Sequence, residues 1–340
     1  MDETRGLLDL IIARIPGLSP AERINLCEKF EKEEEISILS KKDIEKIIGR
    51  PEGMYAKPSS GRLFWSMDQI RFLAEKDEKA ARLRGMGWVS WASAAYPPLL
   101  REIFDPPALL FYRGAFPVPD NPLAAVVGTR RPSAGALAQA YDIGKSLGAL
   151  GISVVSGLAL GIDAMAHRGN LEGGGRTAAV LGSGCDEIYP VSNRALARRI
   201  IENGGVLLSE YPPGTGPRKW QFPARNRIIA GLCRGVLVVE APAPSGALIT
   251  ARFALEQNRD LWVASSGAAA APRFGAGTAK LAAEGARVIH TAEDILEDWN
   301  LERRRRPEGR GGIKTEKERT GAAEGCCLAA SLADSLDIEL

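Results

Sequence analysis

The chain has 340 residues, 45% of them apolar and 25% charged, with 44 Lys and Arg against 42 Asp and Glu for a formal charge of +2. At roughly 150 residues per domain this leaves room for about two domains and at least one full core, which excludes a peptide hormone or a disulfide-stapled miniprotein. A bulk charge so near zero names no partner, and the placement of the basic residues has to carry that information. Five cysteines without CxxC spacing argue against a disulfide framework and fit a reduced, cytoplasmic setting. The acidic start MDETRGLLDL lacks the basic region of a secretory signal, and no run reaches the ~18–20 apolar residues that span a bilayer. With His167 and His290 the only histidines, a histidine-built metal site is unavailable, and neither metal nor cofactor is expected.

Up to about residue 92, apolar residues recur every three or four positions: Leu7, Leu8, Ile11, Ile12 and Ile15, then Ile24, Leu26, Cys27 and Phe30, then Ile44, Ile47 and Ile48. This spacing predicts a small helical domain. Within it, Ser19 is placed as the N-cap and Pro20 as the first residue of a new helix. Residues 93–122 follow, with Tyr96-Pro97-Pro98 and Asp105-Pro106-Pro107, and read as an extended linker that packs, proline opposing helix.

From 123 to 300 short apolar runs alternate with helical stretches. The runs are Leu123–Val127, Ile152–Val155, Thr177–Leu181, Val206–Leu208, Val236–Val239, Leu261–Ala264 and Arg287–Ile289, and the predicted helices include Ala136–Leu150, Ile162–Glu172, Asn193–Asn203 and Leu248–Asn258. Runs apolar on both faces imply a buried parallel sheet, doubly wound, with the loops after its strands gathered on one rim. Residues 301–340 open on Glu302-Arg303-Arg304-Arg305-Arg306 and read as a charged, disordered tail, in which the vicinal Cys326-Cys327 is incidental.

Chemistry concentrates where strands end. Gly128-Thr129-Arg130-Arg131 after the first run offers glycine, amides at a helix start and two guanidinium groups, a cradle for phosphate. Ser156-Gly157 ends the second run and Gly182-Ser183-Gly184 the third. Between Ser209 and Arg227 four cations interleave with Trp220 and Phe222, in a stretch that its Gly and Pro residues are expected to keep out of regular structure. Cations on phosphates and rings on bases are the chemistry of single-stranded nucleic-acid binding. Asp163, His167 and Ser156 could be imagined as a hydrolase set, but acid and histidine one turn apart on a helix fit a cap better than a triad. Glu210 and Glu240 are expected to satisfy loop amides.

The ordered motifs Gly128-Thr129-Arg130, Ser156-Gly157-Leu158-Ala159 with Gly161-Ile162-Asp163, Tyr189-Pro190 with Asn193, Ser209-Glu210-Tyr211-Pro212-Pro213-Gly214, Phe222-Pro223 with Arg225-Asn226-Arg227, and Ser245-Gly246 with Leu248-Ile249-Thr250 resemble the DNA-processing protein A (DprA, or Smf) family. The resemblance implies an α/β, extended Rossmann-like, mostly parallel sheet preceded by a small all-helical, sterile-alpha-motif-like domain. It also implies sequence-independent single-stranded DNA binding, homodimerisation, and loading of the RecA recombinase during natural transformation and recombination, without catalysis. Carried over by position, DNA contacts fall on Arg130, Lys219 and Phe222. The candidate set is Gly128, Thr129, Arg130, Ser156, Gly157, Lys219, Phe222, Arg225, Asn226 and Arg227. The sequence departs from the family pattern at Pro244 and at Ala279, where an asparagine is usual, and no complete winged helix is expected in residues 301–340. The alternative is a nucleotide-binding enzyme or sensor of the lysine-decarboxylase-like Rossmann group. Its glycine-rich turn and following glutamate are absent from Ala243–Thr250.

Overall fold

The structure, a computed structural model, describes residues 6–50, 66–116 and 122–301. The tail and the Cys326-Cys327 pair lie outside the described residues. The N-terminal helices are α1 (Gly6–Arg14), α2 (Pro20–Lys29), α3 (Glu33–Ser37), α4 (Lys41–Ile47) and α5 (Met67–Leu83). Ser19 and Ser40 each accept the backbone N–H three residues on, and Glu22 and Asp43 reach back to the cap amide, so α2 and α4 both open on capping boxes. Leu8, Ile11 and Ile12 on α1, with Ile15 just after it, are buried against Leu26, Ile36, Ile44 and Ile70.

The rest of the chain runs β1 (Gly87–Ser90), α6 (Pro98–Arg101), β2 (Leu109–Gly114), β3 (Leu123–Val127), α7 (Ala134–Ala149), β4 (Ser153–Ser156), α8 (Ile162–Glu172), β5 (Ala178–Val180), a 3₁₀ turn at Val191–Asn193, α9 (Arg194–Glu202), β6 (Val206–Ser209), α10 (Gln221–Leu232), β7 (Gly235–Val238), α11 (Gly246–Glu256), β8 (Asp260–Ala264), α12 (Ser265–Ala268), α13 (Pro272–Ala283), β9 (Arg287–Ile289) and α14 (Ala292–Asp298). One sheet takes them in the order β1-β2-β6-β5-β4-β3-β7-β8-β9. From β6 to β9 every pairing is parallel, whereas β1 and β2 add antiparallel at the edge. Val126, Val154 and Leu237 pack against α7, α8 and α14 on one face. Val127, Val155 and Val236 pack against α10 and α11 on the other. Such two-faced burial is why these strands read as unbroken apolar runs.

Three local expectations are corrected. The end of the helical stretch and the proline-bounded linker contain β1 and β2; their apolar residues join the sheet through ladders such as Trp88 with Phe111 and Phe111 with Ser209. Pro98 starts a turn of helix instead of preventing one, because the first helical residue needs no N–H partner. The stretch expected to stay irregular through Arg227 becomes helical at Gln221, Pro223 falling in the first turn, where its missing N–H costs no hydrogen bond. Among the described residues no helix is long and apolar enough to cross a membrane.

Candidate nucleic-acid interface

Strand β3 has β4 on one side and β7 on the other, so the winding reverses there and a crevice opens at the strands' C-terminal ends. The turn after β3 is built tightly. Thr129 donates its N–H to the Glu240 carbonyl at 2.8 Å, and its hydroxyl accepts from the Arg131 N–H at 3.2 Å. A Cβ on Gly128 would collide with Ile162, so only glycine lets α8 begin this close. Arg130 is left pointing out of the turn, exposed, with its guanidinium 5.6 Å from the centre of the Phe222 ring. Phe222 lies in the first turn of α10, half-buried, its ring centre 5.6 Å from that of Tyr189. Arg130, Tyr189 and Phe222 share a shallow pocket with Gly157, Leu160 and Arg225. Lys219 stands exposed just before α10. Neither Lys219 nor its neighbour Arg218, Arg130 or Arg131 forms an ion pair among the described residues.

The remaining candidates lie deeper. Ser156 is fully buried and donates its hydroxyl to the Val126 carbonyl at 2.7 Å. The Gly157 N–H donates to Asp163 Oδ2 at 3.1 Å. A Cβ on Gly157 would run into the Arg225 guanidinium, which donates to the carbonyls of Gly157 and Val180 and to Asn226 Oδ1. Burial lowers the Arg225 pKa to about 10, opposed by the attraction of Asp163. Burial likewise pushes the Asp163 carboxyl up, countered by Arg225 and by the amides of Ala159 and Gly157. Asn226 donates to the Gly246 carbonyl at 3.2 Å. Arg227 is clamped by both oxygens of Glu210, at 2.8 and 2.9 Å, and by Asp105. The structure therefore brings Gly128, Thr129, Arg130, Gly157 and Phe222 to one rim, with Lys219 exposed in the turn three residues before Phe222, and holds Ser156, Arg225, Asn226 and Arg227 within the frame behind it.

The residues considered for catalysis are occupied elsewhere. Thr177 donates its hydroxyl to the Val154 carbonyl and so accepts from His167 Nδ1 at 2.6 Å, which fixes the tautomer. Burial and the nearby Arg225 lower the His167 pKa to about 3. Glu240 accepts from the amide and hydroxyl of Ser133, the cap of α7, as a loop-satisfying group should. Glu210, expected to do the same, instead pairs with Arg227. Among the described residues no group of three His, Cys, Asp or Glu side chains could hold a metal ion.

Sequence reasoning missed two contributors. Tyr189, named among the motifs with Pro190 but left out of the candidate set, widens the aromatic surface beside Phe222. Asp186 receives the Gly214 N–H at 2.9 Å and pairs with Arg84, just beyond α5, at 2.8 Å, so the N-terminal helices brace the loop that leads to Lys219. Spacing along the chain carries no trace of that contact.

The family model described as DNA recombination-mediator protein A matches residues 88–300. The DNA processing protein DprA of Bacillus subtilis is 41% identical over 244 residues, 68% of this chain and 81% of that protein. The DprA protein of Streptococcus pneumoniae is 43% identical over 61% of this chain and 72% of its own. The X-ray structure of the pneumococcal protein superposes with a TM-score of 0.69 at 33% identity, covering 84% of this chain and 95% of that one. A structure of DNA processing protein A from Helicobacter pylori, concerned with that protein's single-stranded DNA binding mode, superposes with a TM-score of 0.55 at 28% identity over 63% of this chain and 95% of that one.

Proposed function

The chain belongs to the DNA recombination-mediator protein A family, and on that premise we propose that it binds single-stranded DNA without sequence preference along the rim carrying Arg130, Lys219 and Phe222. The observation that carries the reading is the Arg130 guanidinium lying against Phe222, with Tyr189 on the same ring and exposed, unpaired cations alongside. Such a surface can neutralise phosphates and stack any base, and it asks for no particular sequence. Gly128, Thr129 and Gly157 let the strand approach the backbone, and Ser156, Arg225, Asn226 and Arg227 hold the rim in position. The similarity to pneumococcal and H. pylori DNA processing protein A supports the same reading.

Within this proposal the protein acts in the cytoplasm, as a homodimer, loading RecA recombinase onto single strands during DNA uptake, and catalyses no reaction. Its helical unit ends at α5 and its DNA-binding unit begins at β1, since β1 pairs into the sheet. Fluorescence anisotropy with single- and double-stranded oligonucleotides of equal length tests the central step. The single strand should bind whatever its base composition, and the duplex much more weakly. Equal or tighter duplex binding would overturn the reading, and release of free base from nucleoside monophosphates would replace it with an enzyme. Faster RecA filament growth on the same oligonucleotide checks the loading role.

A further inference from the structure

The start of α10 carries aromatic rings on two flanks. Phe222 meets Tyr189 on one, and Trp220 meets Tyr211 on the other, edge to face, with ring centres 5.9 Å apart at 82°. Trp220 already has helical dihedrals, and two residues on a helix are separated by about 200° around its axis. The two rings therefore project to opposite sides. Trp220 is 59% exposed, whereas Trp88, Trp262 and Trp299 are buried and Trp91 is half-buried. Tyr211 stands against the Trp220 indole, and the Tyr211 N–H is tied to Ser209 Oγ at 3.0 Å. Arg218 and Lys219, both exposed and without acidic partners, directly precede it. An open indole packed against Tyr211, beside cations that form no ion pair among the described residues, matches the chemistry of an unpaired base and its phosphate.

We propose that Trp220 and Tyr211 form a second base-stacking station, so that a single strand held at Arg130 and Phe222 continues past Lys219 and around the start of α10. This extends the single-stranded DNA reading of the rim and rests on it. The strand covered is then longer than the first station alone can hold.

Trp220→Ala and Trp220→Phe, each checked by thermal melting, are titrated with oligo-dT of about six and about fifteen nucleotides, lengths bracketing typical single-strand sites. Trp220→Ala should bind the long oligonucleotide about tenfold more weakly and the short one as the parent does, the loss expected for one stacked base. Trp220→Phe should keep the parent's affinity for both while losing the part of the tryptophan quenching that only the long strand produces. Parent-like binding of the long strand by Trp220→Ala overturns the second station, as does equal weakening at both lengths, or quenching of Trp220→Phe identical to the parent. A parent that binds neither length removes the reading of the rim itself, a result distinguishable from all of these.

Discussion

The turn holding Arg218 and Lys219 and the helix that follows it with Arg225 and Arg227 are equally basic in composition, yet they end in opposite environments. Lys219 is exposed and forms no ion pair among the described residues, while Arg227 is 7% exposed and gripped by Glu210 and Asp105. Arg225 goes further, its guanidinium spent on the carbonyls of Gly157 and Val180, tying α10 to the ends of β4 and β5. A cation whose hydrogen bonds are all made inside the protein cannot also neutralise phosphate without breaking its own support. The contrast assigns the frame to the buried pair and the ligand to the exposed one.

Removing Arg227 should break that contrast most severely. Arg227→Met leaves Glu210 and Asp105 facing a neutral side chain and should cost about 2–3 kcal/mol in urea unfolding, less than loss of one partner of a fully buried pair because both carboxylates keep some contact with water. The DNA affinity of the protein that remains folded should stay near the parent's. A variant of parental stability that fails to bind would put Arg227 on the interface instead of behind it.

Next in size is a pH effect on the frame. The His167 pKa in the folded protein, about 3, lies below its ordinary value because burial disfavours the imidazolium. Below about pH 6.5 the unfolded chain takes up a proton that the folded chain refuses, so stability is complete above that pH and drains away as pH falls towards 3. Relative to pH 7 the loss at pH 5 should be about 2 kcal/mol. His167→Gln should lack this component of the slope in denaturant titrations across the same range. An unchanged slope would show that His167 is not buried neutral.

Smaller still is the effect of the ring that joins the two regions. Phe222→Leu keeps an apolar plug at the start of α10 but removes the stacking face, and should weaken oligo-dT binding about tenfold. Its melting temperature should move little. A tenfold loss accompanied by strong destabilisation would mean that Phe222 serves the core rather than the strand.

Much of the frame was legible in the sequence because burial on both faces leaves unbroken β-branched runs, and every parallel strand from β3 to β9 falls on or within a residue or two of such a run. β1 and β2 were hidden because prolines bracket them and they join the edge antiparallel, where no helix-strand alternation marks them. The rim was half legible. The motif around Gly128 and the cation-aromatic segment pointed to the right loops, but composition cannot tell a clamped arginine from a free lysine. That distinction depends on Glu210 and Asp105, carboxylates supplied from other parts of the chain. The brace from Arg84 to Asp186 was illegible for the same reason.

The most direct test of the interface is a salt titration of oligo-dT binding by the parent and by the double variant Arg130→Glu with Lys219→Glu. Losing two phosphate contacts should make the logarithmic salt slope shallower by about 1.4, with affinity at low salt down about 100-fold and the melting temperature unchanged. A double variant that matched the parent in affinity and slope would contradict the account, because the strand would then be held somewhere other than this rim.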